Sequence, residues 1–73
     1  MAKEIIEAPM SGKILRVNSR VGDALKEGDV VCVLESMKME NEILTPVAGK
    51  VAEINAKEAQ FVKGGDVLAV IEY

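Results

Sequence analysis

One lysine, Lys38, stands between two methionines, Met37 and Met39, in the middle of residues 35–40. Apolar, strand-like runs precede and follow this segment, which predicts the tip of a β-hairpin. Hairpin tips are usually built from glycine, asparagine, aspartate or proline, and this tip has none of them. An amine exposed at such a tip is a nucleophile that an enzyme can reach, so the segment is a candidate site of covalent modification.

The chain contains two similar halves, residues 8–35 and 45–72, which align without a gap at an offset of 37 residues. Ten of the 28 aligned positions are identical, whereas average composition predicts about two. Lys38 lies in the short link between the halves. We therefore expect two copies of one supersecondary unit to face each other across a pseudo-two-fold axis, with Lys38 at the end of the molecule away from the chain termini.

Frequent glycines, β-branched residues and short, evenly spaced apolar runs predict an all-β fold. Eight strands in two similar halves indicate a flattened β-barrel or sandwich of two packed four-stranded antiparallel sheets. We expect a single domain over residues 1–73. The strands are expected at residues 4–7, 13–17, 25–29, 30–35, 40–45, 50–54, 61–62 and 67–72, with a Lys-Glu-Gly-Asp turn before the fourth strand.

The hairpin itself has a specific expected geometry. If Met37 and Lys38 are the two loop residues, then Ser36 pairs with Met39 and Glu35 pairs with Glu40. Two-residue loops favour a type I′ turn, so Met37 and Lys38 should both have positive φ. The like-charged pair of glutamates should be slightly unfavourable.

Composition excludes several classes of function. The net charge is −3, with no basic patch, so nucleic-acid binding is not expected. The chain has no histidine and one cysteine, which argues against a metal site and against a self-sufficient catalytic site. No apolar stretch is long enough to span a bilayer and no signal peptide is recognisable, so we expect a cytoplasmic location. Cys32 lies in an apolar run and is expected to be a buried core thiol.

Met37-Lys38-Met39, preceded by Glu35, resembles the biotin attachment motif of the biotin carboxyl carrier domains, within the biotinyl and lipoyl attachment family. Ser36 stands where that family most often has alanine. The resemblance implies a barrel-sandwich fold in which biotin is joined covalently, by an amide, to Lys38. It also implies that Glu35 helps the modifying ligase to recognise its target.

The resemblance further implies a carrier that performs no catalysis itself. Its expected partners are a biotin protein ligase, and the biotin carboxylase and carboxyltransferase of a biotin-dependent complex or a membrane decarboxylase. The two halves align without a gap, so the extra thumb segment of bacterial acetyl-CoA carboxylase carriers is absent. In isolation the domain is expected to be monomeric.

Two other functions compete with this interpretation. Lipoyl domains share the fold, but typically have aspartate and alanine beside their lysine, where this chain has Met37 and Met39. An unmodified scaffold, as in efflux adaptors, generally lacks the lysine. For two residues outside the motif, the sequence leaves two alternatives open. Met10 either packs in the core or lines the surface under biotin, and Ala59, aligned with Gly22, either adopts a turn without positive φ or tolerates strain.

Overall fold

The computed structural model describes every residue from Met1 to Tyr73 and contains eight strands in two four-stranded antiparallel sheets. This confirms the predicted all-β fold. The structure has no helix that could span a membrane. The strands are β1 (Lys3–Glu7), β2 (Gly12–Val17), β3 (Ala24–Leu25), β4 (Val30–Ser36), β5 (Met39–Leu44), β6 (Gly49–Ile54), β7 (Phe61–Val62) and β8 (Val67–Glu72).

The two sheets are copies of one another. Sheet 1 has the strand order β1-β8-β6-β3, and sheet 2 has the order β5-β4-β2-β7. The 37-residue offset of the repeat converts β1, β2, β3 and β4 into β5, β6, β7 and β8, and so converts one order into the other. The predicted pseudo-two-fold repeat is therefore present, and it exchanges the two sheets.

Small and medium-sized aliphatic side chains fill the space between the sheets. Cys32 is 0% exposed and belongs to this core, as predicted, and burial raises the pKa of its thiol to about 11. The core therefore has no reactive group. Its buried cluster consists of Ile6, Ala8, Ile14, Val31, Cys32, Leu34, Ile43, Val51, Ala56, Val62, Leu68, Ala69 and Ile71.

The prediction for β3 was wrong in its bounds. The strand covers only Ala24–Leu25, whereas residues 25–29 were expected to form it. The backbone N–H of Lys26 donates to Oδ2 of Asp29 at 2.9 Å, and the N–H of Asp29 donates to the carbonyl of Lys26 at 3.0 Å. These bonds close residues 26–29 into a turn, so the chain leaves the strand after Leu25.

Ala59 adopts the strained alternative. Its φ is 68°, in the left-handed region, where its repeat partner Gly22 has a φ of 96°. The N–H of Ala59 donates to the carbonyl of Ile14 at 2.8 Å. The next residue, Gln60, accepts a bond from the N–H of Lys57 at 3.0 Å through its side-chain oxygen. The two bonds fix the turn, so the surrounding structure imposes a φ that alanine disfavours.

The hairpin turn and the chain termini are equivalent positions of the repeat. The backbones of Ala2 and Tyr73 bond to each other at 2.8 and 2.9 Å. The offset relates these residues to Met39 and Ser36, which flank the turn. Because the pseudo-two-fold exchanges the two places, they lie at opposite ends of a molecule 36 Å long. This confirms the expected position of Lys38.

Candidate functional site

The site is the turn between β4 and β5 in sheet 2. The register pairs Ser36 with Met39 and Glu35 with Glu40, as predicted, and leaves Met37 and Lys38 as the two loop residues. The β4 strand is the most apolar run of the chain and is buried over Val31–Leu34. The β4 arm of the hairpin is therefore fixed by the core, whereas the tip and most of the β5 edge strand are exposed.

Both loop residues have the left-handed backbone that a type I′ turn requires. The φ values are 54° for Met37 and 64° for Lys38, which confirms the prediction. Neither residue is glycine, so each is held in this region at a cost of about 1–2 kcal/mol. The strain is local, and the ladder of bonds between β4 and β5 offsets it. The direction in which Lys38 leaves the hairpin is consequently well defined.

Lys38 and both neighbouring methionines are exposed. Met37 is 91% exposed and Met39 is 67% exposed, so neither belongs to the core. Lys38 forms no ion pair, because the one ion pair of the molecule joins Arg16 and Glu40. An exposed amine that no carboxylate binds fits the chemistry of an amide-linked prosthetic group.

Asn41 supports the hairpin from within the strand pair. Its side-chain amide donates to the carbonyl of Leu34 at 3.4 Å and to that of Met39 at 3.2 Å. The two acceptors lie on different strands, so one side chain links both arms of the hairpin just below the turn. Asn41 follows the motif directly in the sequence, but its position did not indicate this role.

The glutamates beside the turn have cationic neighbours that the sequence analysis missed. Glu35 lies opposite Lys13 of β2, and Nη2 of Arg16 lies 3.0 Å from Oε1 of Glu40. These contacts reduce the repulsion expected between Glu35 and Glu40. One signal could have identified the pair, because the repeat partners of Arg16 and Glu40 are Glu53 and Lys3, so both charges are reversed between the two sheets.

Gly12 allows β2 to approach the base of the hairpin closely. A Cβ on Gly12 would collide with the backbone oxygen of Glu35, and would lie 3.0 Å from Cδ1 of Leu34. The repeat partner Gly49 meets the backbone oxygen of Glu72 in the same way. Gly12 is therefore needed for the close packing of β2 against Glu35. Glu35 lies on β4, three residues before Lys38.

Met10 is not part of the hairpin. It lies in the loop between β1 and β2, is 38% exposed, and its backbone packs against Gly64. It is thus neither a core methionine nor a neighbour of Lys38 in the strand ladder. A contact between Met10 and biotin stays a prediction.

Fold and site together define a class of protein: a duplicated β domain that presents a lysine, Lys38, on the exposed two-residue turn of a hairpin. The comparison with family profiles gives the particular family. The profile described as "Biotin-requiring enzyme", of the biotin–lipoyl type, matches residues 4–71. The chain belongs to this family.

Relatives and solved structures agree with the family. The chain is 56% identical over 39 residues to the glutaconyl-CoA decarboxylase subunit gamma of Acidaminococcus fermentans, a match that covers 53% of this chain and 27% of the relative. It is 49% identical over 43 residues to a biotin carboxyl carrier protein of Streptococcus mutans, which covers 59% and 33% of the two chains. The chain thus spans a third or less of these relatives.

Among solved structures, the urea carboxylase of Kluyveromyces lactis contains the same fold, with a TM-score of 0.91 and 32% sequence identity. The match covers 99% of this chain and 6% of that enzyme. Almost every residue of the chain is therefore accounted for by a domain found in a much larger carboxylase.

Proposed function

We propose that this chain is a biotin carboxyl carrier, with biotin attached through an amide to Nζ of Lys38. The observation that carries the proposal is one exposed lysine, free of carboxylates, on a strained two-residue turn between Met37 and Met39. Family membership supports biotin as the group, and so do the names of the relatives. Attached biotin would supply the chemistry of carrying a carboxyl group between the active sites of a biotin-dependent complex.

The chain's own residues hold and present the group. Lys38 is exposed on a turn defined by the positive φ values of Met37 and Lys38, and the Asn41 side chain links the two arms of the hairpin. The lysine stem and the biotin chain form an arm of about ten bonds, with a reach of roughly 10–15 Å. Tethering then raises the local concentration of the carried group at each partner site. Ser36 and Glu35 complete the motif that the ligase recognises.

The proposed partners follow from this role. A biotin protein ligase attaches the group, a biotin carboxylase or a decarboxylase loads the carboxyl group, and a carboxyltransferase delivers it. The similarity to the gamma subunit of a decarboxylase supports a decarboxylase complex as the partner. A membrane decarboxylase is one such proposed partner. We propose that the domain itself is monomeric and acts in the cytoplasm.

The decisive experiment is an intact-mass measurement after co-expression with a biotin protein ligase and excess biotin. We expect the wild-type chain to gain the mass of one biotinyl group and Lys38→Arg to gain none. Lys57→Arg, an exposed lysine in another turn, is the matched control and should be modified like the wild type. A wild-type chain that stays unmodified under excess ligase refutes the proposal.

The same measurement separates biotin from its main competitor. Co-expression with a lipoate ligase and lipoate should leave the wild-type chain at its unmodified mass, because methionines and not aspartate and alanine flank Lys38. A lipoyl increment on Lys38 in place of a biotinyl increment would assign the chain to the lipoyl carriers instead.

A further inference from the structure

The repeat provides an internal comparison, because each position of sheet 2 has a partner in sheet 1 with the same backbone environment. Residues that the fold requires should agree between the two. Gly12 and Gly49 agree, and so do Val33 and Val70. Across the outer face at the hairpin end of sheet 2, cross-strand partners form the row Phe61, Lys13, Glu35 and Glu40; the equivalent row of sheet 1 is Ala24, Lys50, Glu72 and Lys3.

The largest difference between the rows is an aromatic residue. Phe61 is the only phenylalanine of the chain and is 78% exposed, on a strand of two residues. Its partner Ala24 occupies the same place in sheet 1, so the backbone at this position accepts a small side chain. The fold gains little from a phenyl ring that stays in water, so the ring is available for a contact with another molecule.

The second difference is a reversal of charge on the same face. Arg16 bonds to Glu40 in sheet 2, whereas their partners in sheet 1, Glu53 and Lys3, both carry the opposite charge and form no ion pair. Both differences fall on the face that continues into the Lys38 turn. The equivalent face of sheet 1 has alanine at position 24 and no ion pair, and the exposed aromatic residue at that end is Tyr73, at the chain terminus.

The length of the Lys38 side chain, with and without biotin, indicates which partner must contact the outer face of sheet 2. An unmodified lysine extends roughly 6 Å from its Cα atom, whereas the biotinylated arm extends roughly 10–15 Å. The enzyme that forms the amide acts on the unmodified lysine, so its surface must close around the hairpin. Enzymes that act later can reach the group at the end of the longer arm.

We propose that Phe61 anchors the biotin protein ligase, by inserting its ring into an apolar pocket on the ligase while the Arg16–Glu40 pair lies at the rim. The proposal rests on the function proposed above. Two strand spacings of about 4.8 Å separate Phe61 from Glu35, so the ring lies about 10 Å from the base of the hairpin. Ring and turn thus fit within one interface of standard size, about 800 Å² on each partner. Exposed aromatic residues are frequent energetic anchors of such interfaces.

The test is steady-state biotinylation by a purified ligase that modifies the wild-type chain, with ATP and biotin. We expect Phe61→Ala to lower kcat/KM at least about tenfold, mainly through a higher KM for the carrier. Ala24→Phe, the mirror-image change at the distal end, should leave kcat/KM unchanged. Phe61→Leu should recover part of the loss, since an apolar pocket accepts leucine better than alanine.

Two controls keep the outcome interpretable. Chemical acylation of Lys38 by a biotin ester in the absence of ligase should be equally fast in wild type and Phe61→Ala, which excludes a change in the lysine itself. Circular dichroism should show that Phe61→Ala is folded, because alanine occupies the equivalent position 24 in sheet 1. Ala24→Phe should also be folded, because phenylalanine occupies the equivalent position 61 in sheet 2. If Phe61→Ala is biotinylated as efficiently as the wild type, the anchor is refuted and the carrier function stands. If the wild type is not biotinylated, the carrier function itself fails.

Discussion

Arg16 of β2 reaches across β4 to Glu40 of β5, with Nη2 and Oε1 3.0 Å apart, and so links β2 to the strand that follows the lysine. The contact is diagonal, because the register places Arg16 opposite Val33 and Glu40 opposite Glu35. Val33 is 2% exposed although it lies outside the core cluster, which is consistent with cover from the long side chains on this face. The pair is therefore an electrostatic contact on the face that carries Val33, opposite Arg16 in the register.

Arg16→Gln should lower the free energy of unfolding only slightly, by less than about 1 kcal/mol, because both side chains are more than half exposed. The difference from wild type should shrink in 1 M salt, where charges are screened over about 3 Å. Urea denaturation at low and high salt measures both effects. A loss above about 2 kcal/mol that persists in salt would show that packing over Val33, and not the ion pair, is the main contribution.

Ala59→Gly should stabilise the protein, by roughly 0.5–1 kcal/mol, because glycine accepts the φ of 68° without the penalty that alanine bears. The repeat offers the reverse change as a control. Gly22→Ala should destabilise the protein by a similar or larger amount, since Gly22 has a φ of 96°. Chemical denaturation of the two variants beside wild type tests the pair, and shifts of the same sign would contradict the strain argument.

Gly12→Ala and Gly49→Ala should each lower the free energy of unfolding by about 2 kcal/mol or more, because the new Cβ meets a backbone oxygen that cannot rotate away. Their local effects should differ. Amide chemical shifts should change around Glu35 and the Lys38 turn in the first variant, and around Glu72 and the termini in the second. An alanine tolerated at either position without loss of stability would mean that the strands can separate slightly at no cost.

The Cys32 thiol should make stability depend on pH in the alkaline range. Its pKa rises from 9.0 to about 11 on folding, so the unfolded chain loses the proton first. The contribution to stability is complete below pH 9 and is lost between about pH 9 and 11, by roughly 2–3 kcal/mol in total. Cys32→Ala should remove this part of the pH dependence, and Ala69, the repeat partner, shows that the core accepts alanine.

A thiol reagent provides the kinetic counterpart of this measurement. At pH 8 Cys32 should react only as fast as the protein opens, because the side chain is fully buried. Adding urea should accelerate the reaction in step with unfolding. Rapid labelling in the native state would contradict the core assignment.

The hairpin and the duplication were predictable because both are visible as patterns in the sequence. A lysine between two methionines marks the tip, and a constant offset relates the halves, so the positive φ values of Met37 and Lys38 followed from loop length alone. The bounds of β3 did not follow, since the Asp29 side chain competes with the strand for the backbone of Lys26.

The Arg16–Glu40 pair depends on an irregularity that has no sequence signature. The register between β2 and β4 shifts between Ile14 and Arg16, and this bulge decides which β2 side chain lies near Glu40. If side chains are assigned to the two faces of β2 by simple alternation, the assignment is correct only as far as the bulge. Asn41 is a similar case, because its two acceptors are neighbours only once the register is known.

The bonds between Ala2 and Tyr73 have a mechanical consequence. Any polypeptide that continues from either end departs from a single corner, so a larger protein would hold this unit at one pivot. The lysine then sits at the free end of a stiff lever, and a small rotation at the pivot sweeps it along a wide arc. Fusing the ends through two residues and opening the chain at Met37 should likewise give a circular permutant with the same sheets.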